Sequence, residues 1–292
     1  RAYCEDPGDE IVISGISGRF PNTANVAEFA DNLYNKVDMV DDSETRWKHI
    51  DPEVPRRTGK TVNLDKFDAS FFSVHHRQAN AIDPQCRMLM EHSYEAILDA
   101  GINPKSLRGS RTSVTIGCCF VESESYLFYE NTLKDGLGLT GSARAMLANR
   151  ISFALDLHGP SFLVDTACSS GCYALDAAFE SIRSGECDSA IVGATNLLLH
   201  PNLTLQFARL GVLSKTGFCR PLDKDANGYT RAEAVTVLFL QKRRDAKRAY
   251  ANVVYCKTNN DGFKKESITY PSGESQIRLL DEFYKDLKMD PT

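Results

Sequence analysis

The chain has 292 residues, 42% of them hydrophobic, enough to bury a real core in one large domain or in two halves of one fold without disulfide staples. Its formal charge of −5, from 34 Lys+Arg against 39 Asp+Glu, lacks the basic field expected of a nucleic-acid-binding protein. The cysteines number nine, an odd count, and Cys118, Cys119, Cys172 and Cys187 sit in apolar runs, as reduced thiols do.

A reducing cytoplasm is therefore expected, and with no apolar run of about 18 residues, no leader and no lipidation motif, so is a soluble protein without a membrane partner. Residues 1–9 begin without Met and read as a lead-in segment. The run Ile11–Val12–Ile13 is expected to be a strand leading into a glycine turn at Gly15–Ile16–Ser17–Gly18, with a helix around Val26–Tyr34. His75 and His76 are expected in a solvent-facing stretch. Asp83 as N-cap, Pro84 at the first helical position, apolar Leu89, Ala96 and Ile97, and Gly101 as stop define a second helix.

Strands are expected at Ser113–Ile116, Phe162–Val164, Ala190–Val192 and Val235–Leu240, and their alternation with helices indicates an α/β fold. His158 falls in a turn before Gly159–Pro160. Residues 214–228, rich in Gly, Asp, Asn and Lys, read as a surface loop long enough to have a role. The basic run Lys242–Arg248 reads as a solvated face. Val253–Val254–Tyr255 and the turn Asn259–Asn260–Asp261–Gly262 look like the start of another α/β unit, giving expected divisions at 10–250 and 251–292.

The stretch Phe162–Leu163–Val164–Asp165–Thr166–Ala167–Cys168–Ser169–Ser170–Gly171 carries the chemistry. An apolar strand ends, turns through small residues and enters a helix whose stripe is Leu175, Ala178, Phe179 and Ile182, with Gly185 as stop. Cys168 is thereby expected at a helix start. Backbone N–H groups and the helix dipole there favour a thiolate, and the same N–H groups can bind the oxyanion formed when it attacks a thioester. Cys172, one turn later, is expected to face the core. With no CxxC or Cys/His ligand spacing, a zinc site is not expected.

These residues resemble the β-ketoacyl synthase family, whose nucleophile motif is similar to Val164–Asp165–Thr166–Ala167–Cys168–Ser169–Ser170. Further blocks agree in order, including Gly15–Ile16–Ser17–Gly18–Arg19–Phe20–Pro21, Asp83–Pro84–Gln85–Cys86–Arg87, Asn227–Gly228–Tyr229–Thr230–Arg231–Ala232–Glu233–Ala234 and Asn260–Asp261–Gly262–Phe263. Ala148–Asn149–Arg150–Ile151–Ser152 and Thr269–Tyr270–Pro271–Ser272–Gly273–Glu274 resemble animal fatty acid synthases and related animal polyketide synthases.

The resemblance implies a thiolase fold with α-β-α-β-α layers, its N-terminal half complete and its C-terminal half only begun. It implies that Cys168 takes an acyl chain from the 4'-phosphopantetheine arm of an acyl carrier protein, no cofactor being bound directly. A malonyl or methylmalonyl extender then loses CO2 and attacks the acyl group. Adjoining synthase domains and a homodimer pairing near residues 113–157 are also implied, and residues 120–129 and 136–146 would border the acyl tunnel and dimer interface. The family's two histidines and lysine belong to motifs expected beyond Thr292, and none of His49, His75, His76, His92, His158 or His200 lies in a matching motif.

Asp223, Asn227 and Glu233 read as structural, and Gly15–Ile16–Ser17–Gly18 is neither GxGxxG nor a Walker A loop, so no nucleotide is expected. A cysteine hydrolase is disfavoured because Thr166 and Ser170 occupy the glycine positions of the G-x-nucleophile-x-G elbow. A degradative thiolase shares the fold but not these blocks. The alternative to a condensing enzyme is an inactive fragment or a ketosynthase-like structural subunit.

Overall fold

The computed structural model describes residues 8–49, 51–130 and 136–290. In chain order it comprises β1 (Ile11–Arg19), α1 (Val26–Tyr34), β2 (Val40–Asp41), β3 (Thr58–Gly59), α2 (His76–Ala81), α3 (Pro84–Asp99) and β4 (Thr112–Gly117). There follow α4 (Ser123–Ser125), a π turn at Tyr126–Glu130, α5 (Leu137–Ser142), α6 (Met146–Leu155), β5 (Ser161–Val164) and α7 (Ser170–Arg183). The remainder is β6 (Ser189–Asn196), α8 (Pro201–Arg209), β7 (Ala234–Lys242), β8 (Ala251–Asn252) and α9 (Gly273–Leu287).

Six strands form one mixed sheet in the order β5-β4-β6-β7-β1-β8. β4 runs parallel to β5 and β6, while β7 is antiparallel to both β6 and β1. Parallel strands need crossovers, and α7 supplies the one from β5 to β6. Helices cover both faces. On one side Leu89, Ile97, Leu147 and Ile151 of α3 and α6 pack on Val114, Ile116 and Phe239. On the other, Ala174, Ala178, Phe179 and Ile182 of α7 pack on Ile11, Ala190, Val192 and Leu240. These are three of the layers expected of a thiolase fold.

The α3 limits follow from its ends. The Asp83 side chain accepts from Gln85 N–H, Pro84 opens the helix, and Gly101 closes it at φ +75°, where a side chain is strained. Glycines 15 and 18 lie inside β1 rather than in the expected turn. A Cβ on Gly15 would sit 2.0 Å from the Ala96 carbonyl of α3, so glycine there permits close helix–sheet packing, not reversal. The strand's irregularity is a bulge between Ile13 and Gly15, and Ser14 Oγ donates to Phe239 O and Gln241 Oε1.

β5 is an edge strand, and its Phe162 is exposed. Residues 253–255 form no strand. Val253 N–H donates to Ile11 O, and Val253 and Tyr255 pack against the core beneath α7. The loop 214–228 is irregular and mostly exposed, as expected, closed at its base by the Leu213–Tyr229 bridge and by Ser214 Oγ donating to Asn227 Oδ1.

Candidate active site

Cys168 lies in the turn between β5 and α7, two residues before Ser170 opens the helix. Ala167, just before it, has φ +55°, a left-handed conformation that costs an L-residue about 1–2 kcal/mol. Neighbouring side chains hold the turn against this strain. Ser170 Oγ accepts from Thr166 N–H at 3.0 Å and donates to Ala167 O at 2.6 Å. Ser169 Oγ donates to Thr166 O at 2.8 Å, and Asp165 Oδ1 accepts from Ala167 N–H at 3.1 Å. Arg144 bonds Asp165 at 2.8 Å and the Cys119 carbonyl at 2.7 Å, which ties the turn to the end of β4. Burial opposes the charge on Asp165, but Ala167 N–H and Arg144 prevail and hold its carboxyl below the usual range.

The sheet admits the helix start because its residues are small. A Cβ on Gly117 would meet the Ser170 backbone at 2.5 Å, so β4 can lie against the first turn of α7 only with glycine there. Cys168 is exposed and lines a 550 Å³ cleft that it shares with Cys119, Phe120, Asn196, Phe207, Tyr229 and Arg231. A thiol at a helix N-terminus beside open space is placed to become a thiolate and attack an incoming carbonyl.

The other cysteines divide by burial, which pushes the Cys86 and Cys118 thiols up to about 12 and the Cys119 and Cys256 thiols up to about 11. Cys172 departs from expectation. It is exposed and lines the same cleft, because the buried stripe of α7 runs through Ala174, Ala178 and Ile182 while residue 172 stays one turn above Cys168.

Among the described residues no histidine lines the cleft. His75 and His76 are exposed at the start of α2, His158 is exposed beside Asp156, and His200 caps α8. His92 is buried, and its Nδ1 meets both Ser17 Oγ at 2.8 Å and Glu95 Oε2 at 2.9 Å. With serine and carboxylate on one ring nitrogen, that cluster cannot relay a proton from serine through the ring to the acid as a triad does.

Glu233 is fully buried. It is ion-paired to Arg46 at 2.7 Å and accepts from the Thr61 and Leu198 backbone N–H groups, so it clamps three segments. Of the expected basic face, Lys242 and Arg244 pair with Asp9, and Arg248 with Asp99 at the end of α3. No group of His, Cys, Asp and Glu able to hold a metal occurs among the described residues, and no helix there is long and apolar enough to cross a membrane.

Sequence reasoning missed Tyr229, Arg231 and Phe207 as cleft residues. Their only signal is that they converge on Cys168 from positions far along the chain, which local patterns do not encode. Phe120 lines the cleft, and residues 120–126 and Glu130 border a neighbouring cleft of 720 Å³; residues 131–135 lie outside the described residues.

Residues 8–246 match the family described as β-ketoacyl synthase, N-terminal domain. The chain belongs to the β-ketoacyl synthase family. It is 46% identical over 283 residues to the fatty acid synthase of Anser anser anser, covering 97% of this chain and 80% of that sequence. It is 36% identical over 299 residues to the cyclo-acetoacetyl-L-tryptophan synthase of Aspergillus oryzae, covering 96% of this chain and 8% of that one. Among solved structures, the ketosynthase from module 6 of the bacillaene synthase of Bacillus subtilis 168 superposes with a TM-score of 0.86 at 31% identity, covering 97% of this chain and 49% of that one. The ketosynthase fold is thus shared along nearly all of this chain, which spans about half the length of that solved relative.

Proposed function

We propose that this chain carries the nucleophile of a β-ketoacyl synthase, with Cys168 taking an acyl chain from the 4'-phosphopantetheine thioester of an acyl carrier protein. The observation that carries the reading is the exposed Cys168 at the start of α7, opening on the 550 Å³ cleft. The thiolate attacks the thioester carbonyl, first-turn N–H groups hold the oxyanion, and the pantetheine thiolate leaves. A malonyl or methylmalonyl carrier thioester then loses CO2, and its carbanion attacks the acyl-Cys168 carbonyl, freeing the cysteine. Since no described histidine lines the cleft, the donors for the decarboxylation enolate are assigned to the part of a ketosynthase that this chain does not span.

A cytoplasmic location accords with eight free cysteines among the described residues. A homodimer accords with the open edge of β5, where Phe162 and the α6 residue Phe153 are exposed. Light scattering of the intact synthase should give a dimer; a monomer would remove that part of the reading. For the nucleophile, intact mass after incubation with acyl-carrier protein should show one added acyl group in the parent and none in Cys168→Ala. Acylation of the alanine variant at the parental level would overturn the assignment.

A further inference from the structure

Phe120 lines both the 550 Å³ cleft of Cys168 and the neighbouring 720 Å³ cleft. The two lie in succession along α8, whose Leu203 lines the larger and Phe207, one turn on, the smaller. At that junction the Phe120 ring meets the Phe207 ring edge-on, with centroids 6.2 Å apart and planes at 83°. The partition between the clefts is therefore an aromatic pair, one ring from the loop after β4 and one from α8.

The loop is pinned, so the ring cannot withdraw with its backbone. Gln85, 1% exposed at the start of α3, donates through Nε2 to Phe120 O at 3.0 Å, and its Oε1 accepts from Thr195 Oγ1 at 3.2 Å. Three residues after Phe120, Ser123 Oγ donates to buried Asp83, the N-cap of α3. Arg144 bonds the Cys119 carbonyl at 2.7 Å and Asp165 at 2.8 Å, which ties the partition to the turn that carries Cys168. The two clefts differ in lining. Around Cys168 stand small residues, among them Gly117, Gly171, Ala194 and Ala234, which leave room for a chain. Beyond Phe120 stand Glu122, Glu124, Glu130, Arg144 and His200. An alkyl chain that ends on the Phe120 ring stays on apolar surface, whereas one that passes it meets charged groups.

We propose that Phe120 sets the length of acyl chain that Cys168 accepts, its ring forming the end wall of the 550 Å³ cleft and shutting the chain out of the 720 Å³ cleft beyond. The proposal rests on the reading of Cys168 as nucleophile and narrows it to acyl groups that end at the ring. The size of one side chain decides the limit, because the loop on one side and α8 on the other are fixed. A smaller residue at position 120 joins the clefts, and a larger one shortens the space next to Cys168. Phe207 backs the ring without replacing it, since it lines the Cys168 side of the boundary.

The test uses the intact synthase and follows loading of the Cys168 peptide by mass spectrometry, from carrier-protein thioesters running from acetyl to hexadecanoyl. The parent should load short chains and fall off within the series. Phe120→Ala should move the fall-off to longer chains and raise the hexadecanoyl-to-acetyl loading ratio about tenfold, the discrimination that a methylene gives in an apolar pocket. Phe120→Leu should raise the ratio by less and serves where the alanine variant does not fold, while Phe120→Trp should move the fall-off to shorter chains. A parent that loads the whole series evenly overturns the proposal, as does a ratio that stays at the parental value in Phe120→Ala. Loading that persists in Cys168→Ala marks failure of the nucleophile reading instead.

Discussion

Glu233 and Arg46 show what single buried charges do here. The carboxylate is fully buried and the Arg46 side chain is 14% exposed, so each depends on the other and on the Thr61 and Leu198 amides. Removing one partner leaves the other charged and buried, and Glu233→Ala should cost about 3–5 kcal/mol, read from urea denaturation. A loss under about 1 kcal/mol would mean that water reaches Arg46 easily. The thiols make a second prediction. With Cys86 and Cys118 pushed up to about 12, both should resist iodoacetamide near neutral pH in the folded protein and react only after denaturation, while exposed Cys168 reacts in the native state. The place of Cys168 just before a helix was legible in the sequence because the small residues Thr166, Ala167, Ser169 and Ser170 crowd a strand-to-helix junction. The place of Arg231 in the cleft was not, because it precedes β7 while its partners Thr204 and Phe207 lie on α8, and only folding brings them together.

Helix α7 and strand β4 are coupled through one glycine. The missing Cβ of Gly117 is what lets the backbone of Ser170 approach, and Ser170 in turn holds the strained Ala167 turn. Gly117→Ala should therefore lower both the melting temperature and the acylation rate of Cys168, whereas an alanine at Gly109, with nothing near its Cβ position, should leave the acylation rate unchanged. Normal acylation in Gly117→Ala would show that the turn keeps its shape without that contact. Elements with chemical end signals were legible in the sequence: α3 is bounded by Asp83, Pro84 and Gly101, and α1 falls where its apolar periodicity puts it. The place of β5 at the sheet edge was not legible, since strand order is set by long-range pairing, whereas the apolar run Phe162–Val164 reports only that a strand forms. The glycines of β1 misled for a related reason, because a close helix contact and a turn both call for glycine.

At the scale of the molecule, the six-stranded sheet and its two helical layers position the Cys168 turn, but the described surface keeps large apolar groups uncovered. Phe263 is 92% exposed and Ile268 93%, and on α9 Ile277 and Leu280 are also exposed. Such surface is normally buried against more protein, and the solved ketosynthase relative is about twice the length of this chain. The chemistry points the same way. Thiolate attack needs only the cysteine, the helix N-terminus and the cleft, all present here, while decarboxylation builds negative charge on a thioester enolate outside the reach of those groups. Donors aimed at developing charge contribute about 10²–10³-fold each, so a cleft without the family's two histidines should condense below detection even where the acyl-cysteine forms. Residues 1–292 alone should accept the acyl group if folded, yet release no CO2 above background from malonyl-carrier protein, whereas a polypeptide of full ketosynthase length should release it in step with product. Comparable CO2 release from both would mean that groups within residues 1–292 stabilise the enolate, with His200, which lines the neighbouring 720 Å³ cleft beside Glu122, the first to substitute.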